Sequence, residues 1–576
     1  MSRTGRLAWI GIMAAVVLGC DGAPSANARF ESLAADYVEE LLEMNPELAT
    51  ALGDHRYDER LDDYALAGVA DNLGRERKFR SRLAELDRSR LSETNAVDYR
   101  ILAARIEYSI FALEVLREHE WNPLRYNLGG SIYGLLAREF APIEERLRSV
   151  KARLEAFPAA LDASRENLRN PPRIHTETAI QQNDGTITLV RDELGRFLDQ
   201  APVLRAEIEP AQQAAVRALE AYGEWLESDL LPRSNGEFRL GEERLRAKLA
   251  HALHSDLSME TVLERAEEAL VETQLAMYET ALPLFRRYFP DATVGETQDR
   301  QLVIERVLDE LAKNRPTNET IVAQASADLE EITAFVRERG LVGLPDEPVE
   351  IIVMPEFQRG VSIAYCDAPG PLERNGETFY AISPTPEDWT PDRTESFYRE
   401  YNDYMLKDLT VHEAMPGHYL QIAHSNEFEA PTMVRAMFAS GSFVEGWALY
   451  AEQLMVEHGY GGPEVKMQQL KMKLRAIINA ILDQKVHAGT MTEQEAMDLM
   501  MNEGFQEEGE AAGKWRRAAL TSAQLSTYFV GYSEVMDIRE AYEAKHGPIA
   551  DWRAFHDALL SFGSPPARYL PALLGL

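Results

Sequence analysis

The segment Val411-His412-Glu413-Ala414-Met415-Pro416-Gly417-His418 sets two imidazoles and a carboxylate close together in the chain. Such a set can hold a divalent ion while the adjacent glutamate works as a base. In the usual H-E-x-x-H pattern the histidines stand four apart, so one helix face carries both. Here His418 follows His412 by six positions, about 240° round a regular helix, which points it elsewhere. Pro416 has no N–H for the carbonyl of His412 and clashes with that turn. Gly417 accepts backbone angles that other residues avoid. A looped-out turn at Pro416-Gly417 would return His418 to the metal-facing side.

The third donor is expected 27 residues after His418, in Ser442-Phe443-Val444-Glu445-Gly446-Trp447-Ala448-Leu449-Tyr450-Ala451-Glu452. Catalytic zinc commonly takes three protein ligands and keeps one position open, and two His with one Glu is a frequent set. Aromatic and apolar neighbours argue against full exposure of Glu445, and a buried carboxylate needs a cation or donors. The expectation is one Zn²⁺ per chain on His412, His418 and Glu445. Glu413 then serves as the base that takes a proton from water and passes it to the leaving amine. Glu452, on the same face as Glu445, is placed to steer an imidazole N–H. His424 is the nearby side chain that could close the site as a fourth ligand. Taken singly, each of these residues reads equally well as a helix charge or a satisfied core group.

The elements that must position them are mostly helical. From about residue 30 to 336 the apolar spacing is helical nearly throughout; Ser258, for example, precedes a stripe of Val262, Ala266, Ala269, Leu270, Thr273 and Met277. The Gly/Pro-dense stretch 340–348 interrupts that pattern. Three short β-branched and aromatic runs follow, at 350–354, 361–365 and 378–382, and predict a small antiparallel sheet. An edge of it, near Met354 or Phe379 and Tyr380, would suit addition of an extended peptide. Helices resume at 394–423, 443–457, after the capping-box pattern Thr492-Glu493-Gln494-Glu495, and at 524–545. The expected fold is mainly α and two-lobed around a deep cleft. An N-terminal helical lobe would span 29–345 and a catalytic lobe 346–576, the two forming one family domain. No internal repeat interrupts this order.

With 576 residues, 45% of them hydrophobic, the chain can bury a large core. Its formal charge of −35 excludes nucleic acid as a partner. Arg3 and Arg6 precede an apolar run, 7–18, too short to span a bilayer. That run leads into Val17-Leu18-Gly19-Cys20, which resembles a lipobox and makes Cys20 the expected lipidation site. Ala26-Asn27-Ala28 offers a second cleavage site, for an ordinary signal peptidase. Residues 1–28 therefore read as an export leader. The mature protein is expected in the periplasm or cell envelope, touching membrane only through an N-terminal lipid, with secretion as the alternative. Cys366, the other of two cysteines, reads as a small apolar side chain, not a nucleophile. Oligomeric state is not legible.

The strings HEAMPGHYLQ and FVEGWALYAE resemble the bacterial domain-of-unknown-function 885 family, whose pattern is close to H-E-A-x-P-G-H-x-L-Q and then E-G-W-A-L-Y. Asn45-Pro46-Glu47-Leu48-Ala49-Thr50 and Leu52-Gly53 match its opening. Arg517, Gln524, Tyr528 and Gly531 match a late segment R-x4-P-G-Q-x3-Y-x2-G, with Ser522-Ala523 in place of Pro-Gly. The family is in turn distantly similar to helical gluzincin peptidases such as thimet oligopeptidase and the thermostable carboxypeptidases. The resemblance implies peptide substrates. It also implies that Tyr528 and Tyr532 donate to the developing oxyanion, although ordinary helix packing would explain both tyrosines. Arg517 is a candidate for a peptide carboxylate or a plain surface charge. Two further functions stay open: a zinc amidohydrolase acting on a non-peptide amide, and a non-catalytic lipoprotein retaining the fold.

Overall fold

The computed structural model describes residues 24–346, 349–354, 363–373, 377–386 and 389–576. Cys20 and the leader lie outside the described residues, as do Val361 and Ser362 of the second expected strand. Amphipathic helices make up most of what is described. Ser258 caps Met259–Tyr288 through the amide of Thr261, and Val262, Ala266, Thr273 and Met277 are buried along one stripe. The Thr492 capping box opens Glu493–Asp498. No described helix is long and apolar enough to cross a membrane.

Separate apolar cores form along the chain. One gathers Phe30, Tyr37, Phe79 and Ile106, and a second lies among Leu147, Phe157, Leu194 and Leu226. The largest joins Leu245, Val262, Ile332 and Val342 to Tyr380, Phe443, Trp447, Ile477 and Val530. Residues 340–346 break the helical pattern without dividing that core, to which Leu341 and Val342 belong. A buried ionic hydrogen bond joins segments far apart in sequence: Arg435 Nε donates to Asp98 Oδ1 at 2.6 Å.

The sheet is small, as expected, but it is not wholly antiparallel. Its order is β1 (Glu350–Val353), β3 (Phe379–Ile382), β2 (Ala364–Asp367). β1 runs parallel to β3, with Ile351 opposite Tyr380, whereas β2 pairs antiparallel, with Cys366 opposite Tyr380. Because β3 is central, Phe379 and Tyr380 offer no free edge to a peptide. Tyr380 is fully buried and its hydroxyl lies 3.2 Å from Thr410 Oγ1. It therefore braces the helix below the sheet, and its assignment to substrate is corrected on that ground.

The expected helix 394–423 is three helices. Pro391–Glu400 ends at Tyr401, Asn402 caps Asp403–Glu413 through the amides of Tyr404 and Met405, and His418–Asn426 follows a second break. Beyond these come Gly441–Glu457, the long Gly462–His487, Glu508–Leu520 and Ser526–His546. Gly441–Glu457 and Ser526–His546 touch backbone to backbone. A Cβ added at Gly446 would stand 2.1 Å from the carbonyl carbon of Gly531, and one at Gly531 would stand 1.7 Å from Ser442 O. Only glycine allows this approach.

Candidate metal centre

The break between the two histidines does what the sequence requires of it. Asp403–Glu413 stops after Glu413, Met415-Pro416 is a cis peptide, and His418 begins the next helix. Gly417 crosses so close to the preceding turn that a Cβ there would lie 1.8 Å from His412 O. Trp447, fully buried, donates from Nε1 to Pro416 O at 2.8 Å and so pins the turn to Gly441–Glu457. The result is that both imidazoles face one point, ring centroids 4.6 Å apart and planes at 87°.

Glu445 meets them from the neighbouring helix. Its Oε2 lies 3.5 Å from His412 Nε2 and 3.5 Å from His418 Nε2. One donor atom from each of these three residues falls within 4.8 Å of the other two. A tetrahedral ion at about 2.0–2.1 Å from each donor would set such atoms roughly 3.3–3.5 Å apart. Glu445 Oε2 is buried and has no hydrogen-bond partner among the described groups, an arrangement that is costly without a cation. Burial alone would raise the Glu445 carboxyl, but the two imidazoles outweigh it and hold it well below the carboxylate range. Burial likewise opposes the charged form of His412, yet Glu445 and Glu452 raise it well above its ordinary value. Donor types, spacing and orphaned oxygen all fit a divalent ion.

Behind the ligands, Glu452 Oε1 lies 2.6 Å from His412 Nδ1, which fixes the ring with Nε2 toward Glu445. Asp408, one turn before His412 and equally buried, stands beside Glu452. Asp408 was not singled out in the sequence; its i, i+4 spacing to His412 was the available signal. His424 is committed elsewhere, its Nε2 lying 2.8 Å from Gly343 O. Among the described residues, three side chains thus group as candidate ligands and none is placed as a fourth.

Glu413 is half-buried at the end of its helix, where its Oε2 accepts the amide of Cys366 at 3.0 Å. Strand β2 therefore orients the carboxylate. Burial pushes the Cys366 thiol far up, which agrees with a non-nucleophilic cysteine. The two tyrosines separate. Tyr532 is buried, donates to Gln453 and accepts from Lys473 Nζ at 2.8 Å. A hydroxyl held in that way is not presented to a reacting carbonyl, and the role expected for Tyr532 is corrected accordingly. Tyr528 is half-buried and accepts from Arg517 Nη2 at 3.2 Å, while Arg517 also donates to Gln524 at 2.8 Å. Its own proton has no acceptor among the described residues. The Arg-Gln-Tyr part of the late motif is thus one hydrogen-bonded unit.

A protein from Shewanella oneidensis, described as a "putative lipoprotein of unknown function", is 32% identical to this chain, with a TM-score of 0.82 over 95% of this chain and 100% of the other. A second "putative lipoprotein", from Colwellia psychrerythraea, shares the fold at 18% identity and TM-score 0.76, over 96% of this chain and 99% of the other. An M32 carboxypeptidase from Deinococcus radiodurans R1 is far more remote, at 12% identity and TM-score 0.39 over 96% and 95% of the two chains. No curated protein is significantly similar in sequence. The profile of one family, described as bacterial protein of unknown function (DUF885), matches residues 46–574, which include every residue of the metal centre, and the chain belongs to that family.

Proposed function

We propose that this protein is a zinc-dependent hydrolase that cleaves amide bonds in oligopeptides. The observation that carries the reading is the convergence of His412 Nε2, His418 Nε2 and Glu445 Oε2 on one point, beside a carboxylate that does not join them. A bound Zn²⁺ would polarise the scissile carbonyl and make a water acidic near neutral pH. His412, His418 and Glu445 would hold it, and Glu452 keeps the His412 ring turned for that purpose. Glu413, with one oxygen fixed by the Cys366 amide, keeps its other oxygen for the proton of the attacking water and then delivers that proton to the leaving nitrogen. Tyr528 supplies a hydroxyl whose polarity Arg517 strengthens, suited to an oxyanion. A protein that needed the ion only for structure would gain from a fourth ligand; the engagement of His424 with Gly343 supports an open, catalytic site instead.

The test pairs metal analysis with a mixed-peptide digest read by mass spectrometry. Wild-type protein should carry close to one zinc per chain and cleave peptides. Glu413→Gln should keep the zinc and lose about 10²–10⁴-fold in turnover. Normal turnover by the zinc-loaded variant would reject Glu413 as base; loss of zinc with activity would make it a ligand.

We also place the protein in the cell envelope, anchored through lipidated Cys20. The lipobox-like run and the description of the Shewanella oneidensis relative support this.

A further inference from the structure

Away from the metal centre, the long helix Gly462–His487 buries a stripe of polar side chains on one face: Gln468, Lys471, Arg475 and Asn479. Lys471 Nζ donates to Glu400 Oε2 at 2.8 Å, and Arg475 also donates to Glu400. From the facing helix Glu508–Leu520, Glu510 and Lys514 complete the group. Glu510 Oε1 is 3.8 Å from both Arg475 Nη1 and Lys514 Nζ, beyond hydrogen-bond length. Lys514 is 8% exposed, and no described group accepts a hydrogen bond from its ammonium. Arg475 Nε and both amide atoms of Gln468 are buried with no hydrogen-bond partner among the described residues.

The charge does not balance. Lys471, Arg475, Lys514 and Arg517 face two carboxylates, Glu400 and Glu510. Arg399 offsets Glu507 at the outer edge, where it also reaches exposed Asp309. Burial pushes Lys514 down to about 8, Glu510 opposes that shift, and Arg475 and Arg517 add to it. In a chain of formal charge −35, a half-buried surplus of cations with free donors is an anion site in search of its anion. Arg517 links it to the proposed machinery through Tyr528, one turn before the Gly531 that packs on Gly446. Glu400 lies just before the helix that carries His412. At 1.5 Å per residue, that helix sets the cluster and His412 on the order of 15 Å apart. Glu400, with Lys471 and Arg475 on it, is therefore too far to touch reacting atoms, and that end of the cluster suits a specificity site.

We infer that Lys514, with Arg475 and Arg517, binds a carboxylate of the peptide substrate, and that this protein selects peptides carrying one. The inference rests on the hydrolase reading and deepens it. A C-terminal carboxylate and an Asp or Glu side chain present the same chemistry.

The experiment compares three versions of one peptide: free-acid C-terminus, amidated C-terminus, and amidated C-terminus with one added Glu. They are tested with zinc-loaded wild type, Lys514→Gln, Lys514→Arg and Arg517→Gln, each checked for folding by circular dichroism. Wild type should favour a carboxylate-bearing version over the carboxylate-free one by at least about tenfold in kcat/KM, mainly through KM. Whichever acidic version is favoured identifies the source. Lys514→Gln and Arg517→Gln should collapse that ratio and Lys514→Arg should keep most of it. Equal cleavage of all three peptides by wild type, or an undiminished ratio in both Gln variants, overturns the inference. If no peptide is cleaved, the hydrolase reading fails by itself, and calorimetry decides this one. Tighter binding of the acidic peptides to wild type than to Lys514→Gln sustains it; equal or absent binding overturns it.

Discussion

Glu452 Oε1 and His412 Nδ1 are 2.6 Å apart across two helices, and neither side chain has appreciable contact with solvent. The carboxylate fixes which imidazole nitrogen turns toward His418 and Glu445. Burial raises Glu452, with His412 pulling the other way, and burial followed by the nearby Glu452 charge raises Asp408 well above its ordinary value. The Glu452 charge thus favours a neutral Asp408, while His412 favours the charged form of the Glu452 carboxyl that it faces.

Glu452→Gln removes the charge that orients and polarises the ring. Partners of this kind typically contribute 10–100-fold to metal affinity. Chelator competition should show zinc affinity lower by about that factor, while Asp408→Asn, which replaces a neutral carboxyl with a neutral amide, changes it far less. Equal losses in both would mean that the pair acts as one charge.

Glu445→Ala and His418→Ala each leave two protein donors. Zinc content after dialysis, read by plasma mass spectrometry, should fall to a small fraction of one ion per chain. Full occupancy in both variants would dismantle the ligand set.

Gly446→Ala puts a methyl into the backbone of Gly531. Overpacking of this kind costs about 1–3 kcal/mol, and the strain falls beside Glu445. Denaturant unfolding should show the loss, and zinc affinity should drop with it. Unchanged stability would show that the two helices separate freely.

Glu534 is buried, accepts from Ser255 Oγ at 2.8 Å through Oε1, and has no partner for Oε2. Burial pushes its carboxyl up to about 7. Its folded-state value lies above the unfolded one, so its contribution to stability is intact below pH 4 and is lost as pH rises through 7. Glu534→Gln should thus match wild type near pH 4 and exceed it by on the order of 3 kcal/mol near pH 9. Parallel stability curves for the two proteins across that range would refute the assignment.

Cys20→Ala should abolish lipid labelling and release the protein from the membrane fraction. A native N-terminus at Arg29 would instead identify Ala26-Asn27-Ala28 as the processing site.

What could be read from the residues in order was whatever local chemistry dictates. Helical periodicity announced the mainly α build, Ser258 and Thr492 announced their caps, and Pro416-Gly417 announced a break that returns His418 toward His412. The grouping of His412, His418 and Glu445 could be read in order because few residue types bind a divalent ion and each sits in a short, informative string. The tertiary structure decided matters that depend on contacts between distant segments. Strand order made β3 central and buried Tyr380, which no alternation within 378–382 could reveal. Gln453 and Lys473, from two other helices, occupied the hydroxyl of Tyr532 and left Tyr528 with its proton uncommitted. The helix 394–423 broke at Tyr401 as well as at Pro416, because Asn402 caps a new start there. Nothing within its own helix marks Lys514 as buried; Arg475, brought up by packing of Gly462–His487, joins it and its helix neighbour Glu510 in one buried cluster. Periodicity reports which face of an element is apolar, but the partner of a polar group on that face is set by long-range packing.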